Sequence, residues 1–170
     1  MIDWQERTEF SVDTLLDIER IGEKLGQPPS NIRRAFRHWS EQQTTGFVRV
    51  DRFAFDDGVT YVDTTSENPL GFQYIQYGGV NFLQMHGRTL GDFPIRQCVH
   101  PCAGEYSECR SSNRPLAQRI QHSIGGFMRD YVRLLLPLCD GAGRVVMLAS
   151  VYRHIEPQPP AQSPATTATY

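Results

Sequence analysis

The segment Tyr131-Val132-Arg133-Leu134-Leu135-Leu136-Pro137-Leu138 runs into Cys139-Asp140-Gly141-Ala142-Gly143, and a second apolar run follows over residues 144–154. Asp-Gly between two such runs is a hairpin signal, so residues 127–138 and 144–154 are expected to form two long antiparallel strands. Alternation puts Met128, Val132, Leu134 and Leu136 on one face of the first strand. Phe127, Arg129, Tyr131, Arg133 and Leu135 share the other. In the partner strand Val145, Met147, Ala149 and Val151 oppose Val146, Leu148, Ser150 and Tyr152. Both faces are largely apolar, which implies a sheet covered on both sides. Internal helices would cover one side; the other needs the N-terminal helices or a second subunit.

Upstream, Val59-Thr60-Tyr61-Val62-Asp63-Thr64 and Phe72-Gln73-Tyr74-Ile75-Gln76-Tyr77 are rich in β-branched and aromatic residues. Ser66-Glu67-Asn68-Pro69-Leu70-Gly71 supplies turn chemistry between them, so they read as a hairpin. Residues 80–86 are expected to form a short helix closed by Gly87. Residues 103–123 read as a helix interrupted by Pro115, with Leu116, Ile120 and Ile124 as its stripe and Gly125-Gly126 as its end. At the N-terminus, Val12, Leu15, Leu16, Ile21 and Leu25 follow approximate helical spacing, stopped by Gly26-Gln27-Pro28-Pro29. Ser30 then caps a second helix with Ile32, Ala35, Phe36 and Trp39 on one stripe and Arg33, Arg34 and Arg37 opposite. Residues 157–170 hold four of the 11 prolines and little apolar bulk, so they read as a disordered tail. The expected division is an N-terminal helical extension over 1–46, for capping or dimerisation, a folded domain over 47–156, and the tail.

The whole chain has 170 residues, 39% of them hydrophobic and 21% charged, with a formal charge of -2. That suffices for one core and carries no basic excess pointing to nucleic acid. No apolar run approaches the roughly 18 residues that span a bilayer. The polar start Met1-Ile2-Asp3-Trp4-Gln5-Glu6 is unlike a secretory signal, so the expected location is the cytoplasm. Cys98, His100, Cys102 and Cys109 offer four soft ligands, but zinc sites pair close ligands with a second, distant pair. These crowd into one segment stiffened by Pro101, so no metal is expected.

Hairpin, short helices, longer helix and long hairpin come in the order of a PAS domain, a curved antiparallel sheet with helices clasped against one face. Several pieces are similar to one bacterial branch of small stand-alone PAS proteins. These are Arg37-His38-Trp39-Ser40, residues 72–79, Gly87-Arg88-Thr89-Leu90-Gly91, Arg114-Pro115-Leu116 and residues 131–138. The resemblance covers roughly residues 32–156. It implies an α+β fold, a PAS-like five-stranded antiparallel sheet with helices on one face, preceded by N-terminal helices. The implied role is sensing or protein interaction without turnover. Neither flavin nor haem is supported by motif. Asn81-Phe82-Leu83-Gln84 echoes the flavin-photoreceptor string but lacks its cysteine. His122, the one histidine near the region of a haem ligand, falls on the flank of its apolar stripe. No cofactor is evident.

Within that resemblance, a ligand pocket between sheet and helices would be lined by Phe72, Tyr74, Phe82, Met85, Ile120, Ile124, Val132 and Leu134. Phe36 and Trp39 with Arg129, Tyr131 and Arg133 are the candidates for a helix–sheet or dimer contact. The expected partners are a second copy, through the N-terminal helices and the outer sheet face, and a signalling protein that the sequence does not name. Neither a membrane nor a nucleic acid is among them. The competing reading is a DNA-binding regulator with a helix-turn-helix over residues 12–43. Asp13, Asp17, Glu19 and Glu23 crowd its first helix, and a third helix to complete its core is missing. No Gly-x-Ser-x-Gly, Gly-x-x-x-x-Gly-Lys or His-Glu-x-x-His occurs, so no catalysis is expected.

Overall fold

The computed structural model describes residues 10–15, 30–55, 58–76, 85–124 and 127–155. In chain order its elements are strand β1 (Phe10–Leu15), helix α1 (Ser30–Glu41), strands β2 (Val59–Asp63) and β3 (Gln73–Gln76), and helix α2 (Arg96–Ser112). Strands β4 (Leu116–Ile124), β5 (Phe127–Cys139) and β6 (Val145–His154) complete the fold. The sheet is antiparallel in the order β1-β4-β5-β6-β2-β3. A meander of β4, β5 and β6 returns its last strand beside β2, with α2 leading into it. This is an α+β, PAS-like architecture: strands β2 to β6 form the five-stranded sheet, and β1 adds a sixth outside β4.

The long hairpin forms where its turn chemistry demands. Asp140 Oδ1 accepts from the backbone N–H groups of Ala142 and Arg144 at 2.9 and 3.0 Å. Gly143 adopts φ +79, a left-handed conformation that favours glycine. At the opposite edge, β3 is not left open. Tyr74 N–H donates to the Arg88 carbonyl at 2.9 Å, and Leu90 N–H to that of Phe72 at 2.8 Å, so residues 87–90 cap the edge that another chain could otherwise extend.

Two cores lie on the two faces. On the outer face Ile32, Ala35 and Trp39 of α1 pack with Val132, Leu134, Leu136, Ala149 and Val151. The Trp39 indole, 5% exposed, donates its Nε1 proton to the Pro137 carbonyl at 2.9 Å. On the inner face Ala103, Tyr106 and Cys109 of α2 pack with Val62, Phe72, Tyr74, Met85, Leu135 and Leu148. The doubly apolar long strands are therefore explained: the internal helix α2 covers one face and the N-terminal helix α1 the other.

Three expectations are corrected. Residues 116–124 form strand β4, not the second half of a helix, and pair with β5 from Leu116↔Leu135 to Ile124↔Phe127. Residues 10–15 form strand β1, paired with β4 from Phe10↔His122 to Leu15↔Ala117. The helix expected from Val12 thus begins as a strand over residues 12–15, and the remainder of the first helix in the helix-turn-helix reading over 12–43 lies outside the described residues. Finally, α2 starts at Arg96 and continues through Pro101, where the sequence suggested a loop and a later start. The expected short helix over 80–86 and the proposed tail fall, for the most part, outside the described residues.

Candidate functional site

Helix α2 turns Cys98, Val99, Ala103, Glu105, Tyr106 and Cys109 inward, at the three- and four-residue spacing of a single helical face. It lies over the alternate residues of the sheet that point the same way. Register identifies them: Gln118, Ile120 and His122 of β4 stand opposite Arg133, Tyr131 and Arg129 of β5. Tyr152 and Ser150 of β6 continue the row from Arg133 and Leu135. Where α2 and this row separate, a cavity of about 80 Å³ remains, partly open to solvent. Tyr74, Cys98, Cys102, Tyr106, His122, Arg129, Tyr131, Arg133, Ser150 and Tyr152 are among its walls.

The floor is held by a buried ion pair. Arg133 and Glu105 are 5% and 8% exposed, and Arg133 Nη2 meets Glu105 Oε2 directly. The same guanidinium donates to Gln118 Oε1 at 3.0 Å and to Cys102 Sγ at 3.5 Å, and its carbon lies 5.4 Å from the Tyr106 ring centre. Taking two charges out of water costs several kcal/mol each, so these contacts act as a unit. Arg133 is thereby neutralised.

The mouth is aromatic and nitrogen-rich. Tyr131 makes edge contacts with His122, Tyr152 and His154 at ring separations of 5.6, 5.9 and 5.8 Å. Arg129 donates from Nη2 to His154 Nε2 at 3.2 Å and lies with its guanidinium carbon 5.7 Å from the Tyr131 ring centre. His122 is 3% exposed. Burial first, then the charge of Arg129, holds its imidazole down to about 4, so it is neutral at pH 7. Burial also lowers His154, again with Arg129 adding to the effect. Cys98 Sγ lies 3.9 Å from His122 Nδ1, and burial pushes its thiol up to about 12. Protonated thiols are poor nucleophiles and poor ligands.

The candidate metal ligands are not gathered. His100 is exposed while Cys109 is buried, with its Sγ 3.2 Å from the Arg114 carbonyl. Among the described residues no group of three or more histidine, cysteine or acidic side chains is placed to hold a metal ion.

The sheet divides the residues assigned from sequence to the pocket. Phe72, Tyr74 and Met85 lie on the α2 side, and Ile120 shares that side through its pairing with Tyr131. Val132 and Leu134 lie on the α1 side and line no part of this cavity. Ile124 continues β4 in backbone, its side chain being outside the description, as is the whole of Phe82. The contact set is divided too. Phe36 and Trp39 pack on the outer face, whereas Arg129, Tyr131 and Arg133 line the inner cavity. Sequence reasoning missed Cys98, Cys102, Tyr106, Ser150 and Tyr152 as wall residues. Of the residues assigned to the pocket from sequence, Tyr74 lines the cavity; the amphipathic alternation of arginine and aromatic residues on β5 also pointed here, but to a surface.

No protein-family profile matches the chain, and no curated protein matches it. It is similar to the solved structure of an RNA-binding light-oxygen-voltage receptor, at 14% identity and a TM-score of 0.43. That similarity covers 87% of this chain and 39% of the receptor chain. Among the described residues no helix is long and apolar enough to cross a membrane.

Proposed function

We propose that this chain is a PAS-type sensory or protein-interaction module without catalytic activity, in which occupancy of the inner cavity is read out through α1. One observation carries the reading: the same strands serve both the cavity and the helix. Alternate residues of β5 face opposite ways, so Tyr131 and Arg133 line the cavity while Val132, Leu134 and Leu136 seat α1. In β6 the link is closer still. The Tyr152 ring forms cavity wall, and the Tyr152 carbonyl accepts from Asn31 Nδ2 of α1 at 3.1 Å.

A ligand that fits the cavity differently in two strand positions shifts the population between them, and only to the extent of that difference. Close packing carries a strand displacement to the helix on the other face. Native mass spectrometry of freshly purified protein, compared with its denatured mass, tests the reading. A mass excess lost on denaturation supports it, whereas a chain that purifies bare and takes up no small molecule from a metabolite extract contradicts it.

A further inference from the structure

The two arginines of the cavity differ in how they are compensated. Arg133 is matched by Glu105 and Gln118. Arg129, half-buried at the mouth, meets His154 and the Tyr131 ring, and among the described residues no carboxylate pairs with it. The titratable groups around it add no charge at pH 7: His122 is held down to about 4, His154 is lowered, and the Cys98 thiol is pushed up to about 12. Among the described residues the mouth therefore presents one uncompensated positive charge, on a side chain whose five N–H donors are only partly used. Beside it Tyr131 and Tyr152 offer apolar ring surface.

Resting on the reading that this cavity takes a ligand, we propose that the ligand is a small, singly charged carboxylate. Its carboxylate is held by Arg129, and its apolar tail lies against Tyr131 and Tyr152. The planar guanidinium fork matches a carboxylate with two parallel hydrogen bonds. One uncompensated cation selects one negative charge, because a second would enter a half-buried site without a partner. Size follows from volume. A water needs about 10–15 Å³ of such space, so 80 Å³ suits an acid of about five or six non-hydrogen atoms.

The test is an amide-resolved NMR titration with propionate, alongside its neutral isostere propionamide and inorganic phosphate. The expected result is saturable shifts at Cys98, His122, Tyr131 and Ser150 with propionate. Propionamide should bind about 10- to 100-fold more weakly, the value of a charge-assisted contact. Arg129→Gln should lose propionate by a similar factor, and Arg129→Lys by less. Because propionamide is compared on the unaltered protein, the result does not depend on how well the variants fold. Equal binding of propionate and propionamide overturns the anion assignment while leaving a ligand cavity in place. Tighter binding of phosphate than of propionate overturns the carboxylate assignment. Absence of any shift at the cavity overturns this proposal together with the reading beneath it.

Discussion

Acidification from pH 7 to pH 5 is expected to weaken the fold by about 2 kcal/mol through His122 alone, since each pH decade between two pKa values is worth about 1.4 kcal/mol. The side chain is 3% exposed, between Cys98, Arg129 and Tyr131, and its imidazole is held down to about 4. In the unfolded chain it returns to about 6.5. Between those values the unfolded state binds the proton and the folded state refuses it. The contribution is therefore intact above 6.5 and is lost as pH falls toward 4, reaching about 3 kcal/mol in full. Depressed carboxylates such as Asp130 lose their stabilisation only at lower pH, so the window from 6.5 to 5 belongs to the histidines. His154 is lowered too and acts in the same sense, and the comparison with His122→Gln separates the His122 share. Urea unfolding at pH 7, 6 and 5 on the protein and on His122→Gln gives the measurement. The two stability profiles should converge or cross as pH falls, with a midpoint shift for the unaltered protein equivalent to about 4–8 °C in Tm. Parallel profiles across that window would refute the placement of a buried, neutral His122.

Three further perturbations follow from the packing. Trp39→Ala should cost about 3–5 kcal/mol in thermal or urea unfolding, and Trp39→Phe about 1–2 kcal/mol for the hydrogen bond to a buried carbonyl. An unchanged stability for Trp39→Ala would remove α1 from the outer face. Glu105→Gln leaves Arg133 buried with its charge unmatched and should cost about 3–5 kcal/mol, whereas Glu105→Leu combined with Arg133→Leu should cost less than the sum of the single changes. Asn31→Ala, which removes the link to the Tyr152 carbonyl, should cost about 1 kcal/mol and speed amide exchange in the first turn of α1.

The sheet's central hairpin was legible because its signals agree: unbroken β-branched and aliphatic runs, and an Asp-Gly turn between them. Helix α1 was legible from one clean stripe, Ile32, Ala35, Phe36 and Trp39. Strand β4 was not, for a definite reason. Leu116, Ile120 and Ile124 recur every fourth residue, which is near one helical turn and is also two strand repeats, so both elements fit. The intervening inward positions, Gln118 and His122, are polar because they serve the cavity, and this hid the alternation. Pro101 hid α2 in the same way, since proline in a helix interior forfeits a hydrogen bond and reads as a break.

The site was less legible than the fold. Apolar periodicity locates cores, and here it pointed to Val132 and Leu134, which pack against α1. The cavity walls are mostly polar and aromatic residues from five strands, a helix and the segment leading into it, brought together by register and by the docking of α2. Tyr131 and Arg133 were singled out for alternating with Val132 and Leu134; which face each pair occupied depended on where α1 and α2 dock.

The claim at the centre of this account is that cavity and α1 are coupled through β5 and β6. Amide hydrogen exchange with and without cavity-saturating propionate tests it most directly. Coupling predicts changed exchange both at the cavity strands and in α1 around Ile32, Ala35 and Trp39, on the opposite face of the sheet. Protection confined to the cavity strands, with α1 unchanged at saturation, would contradict it.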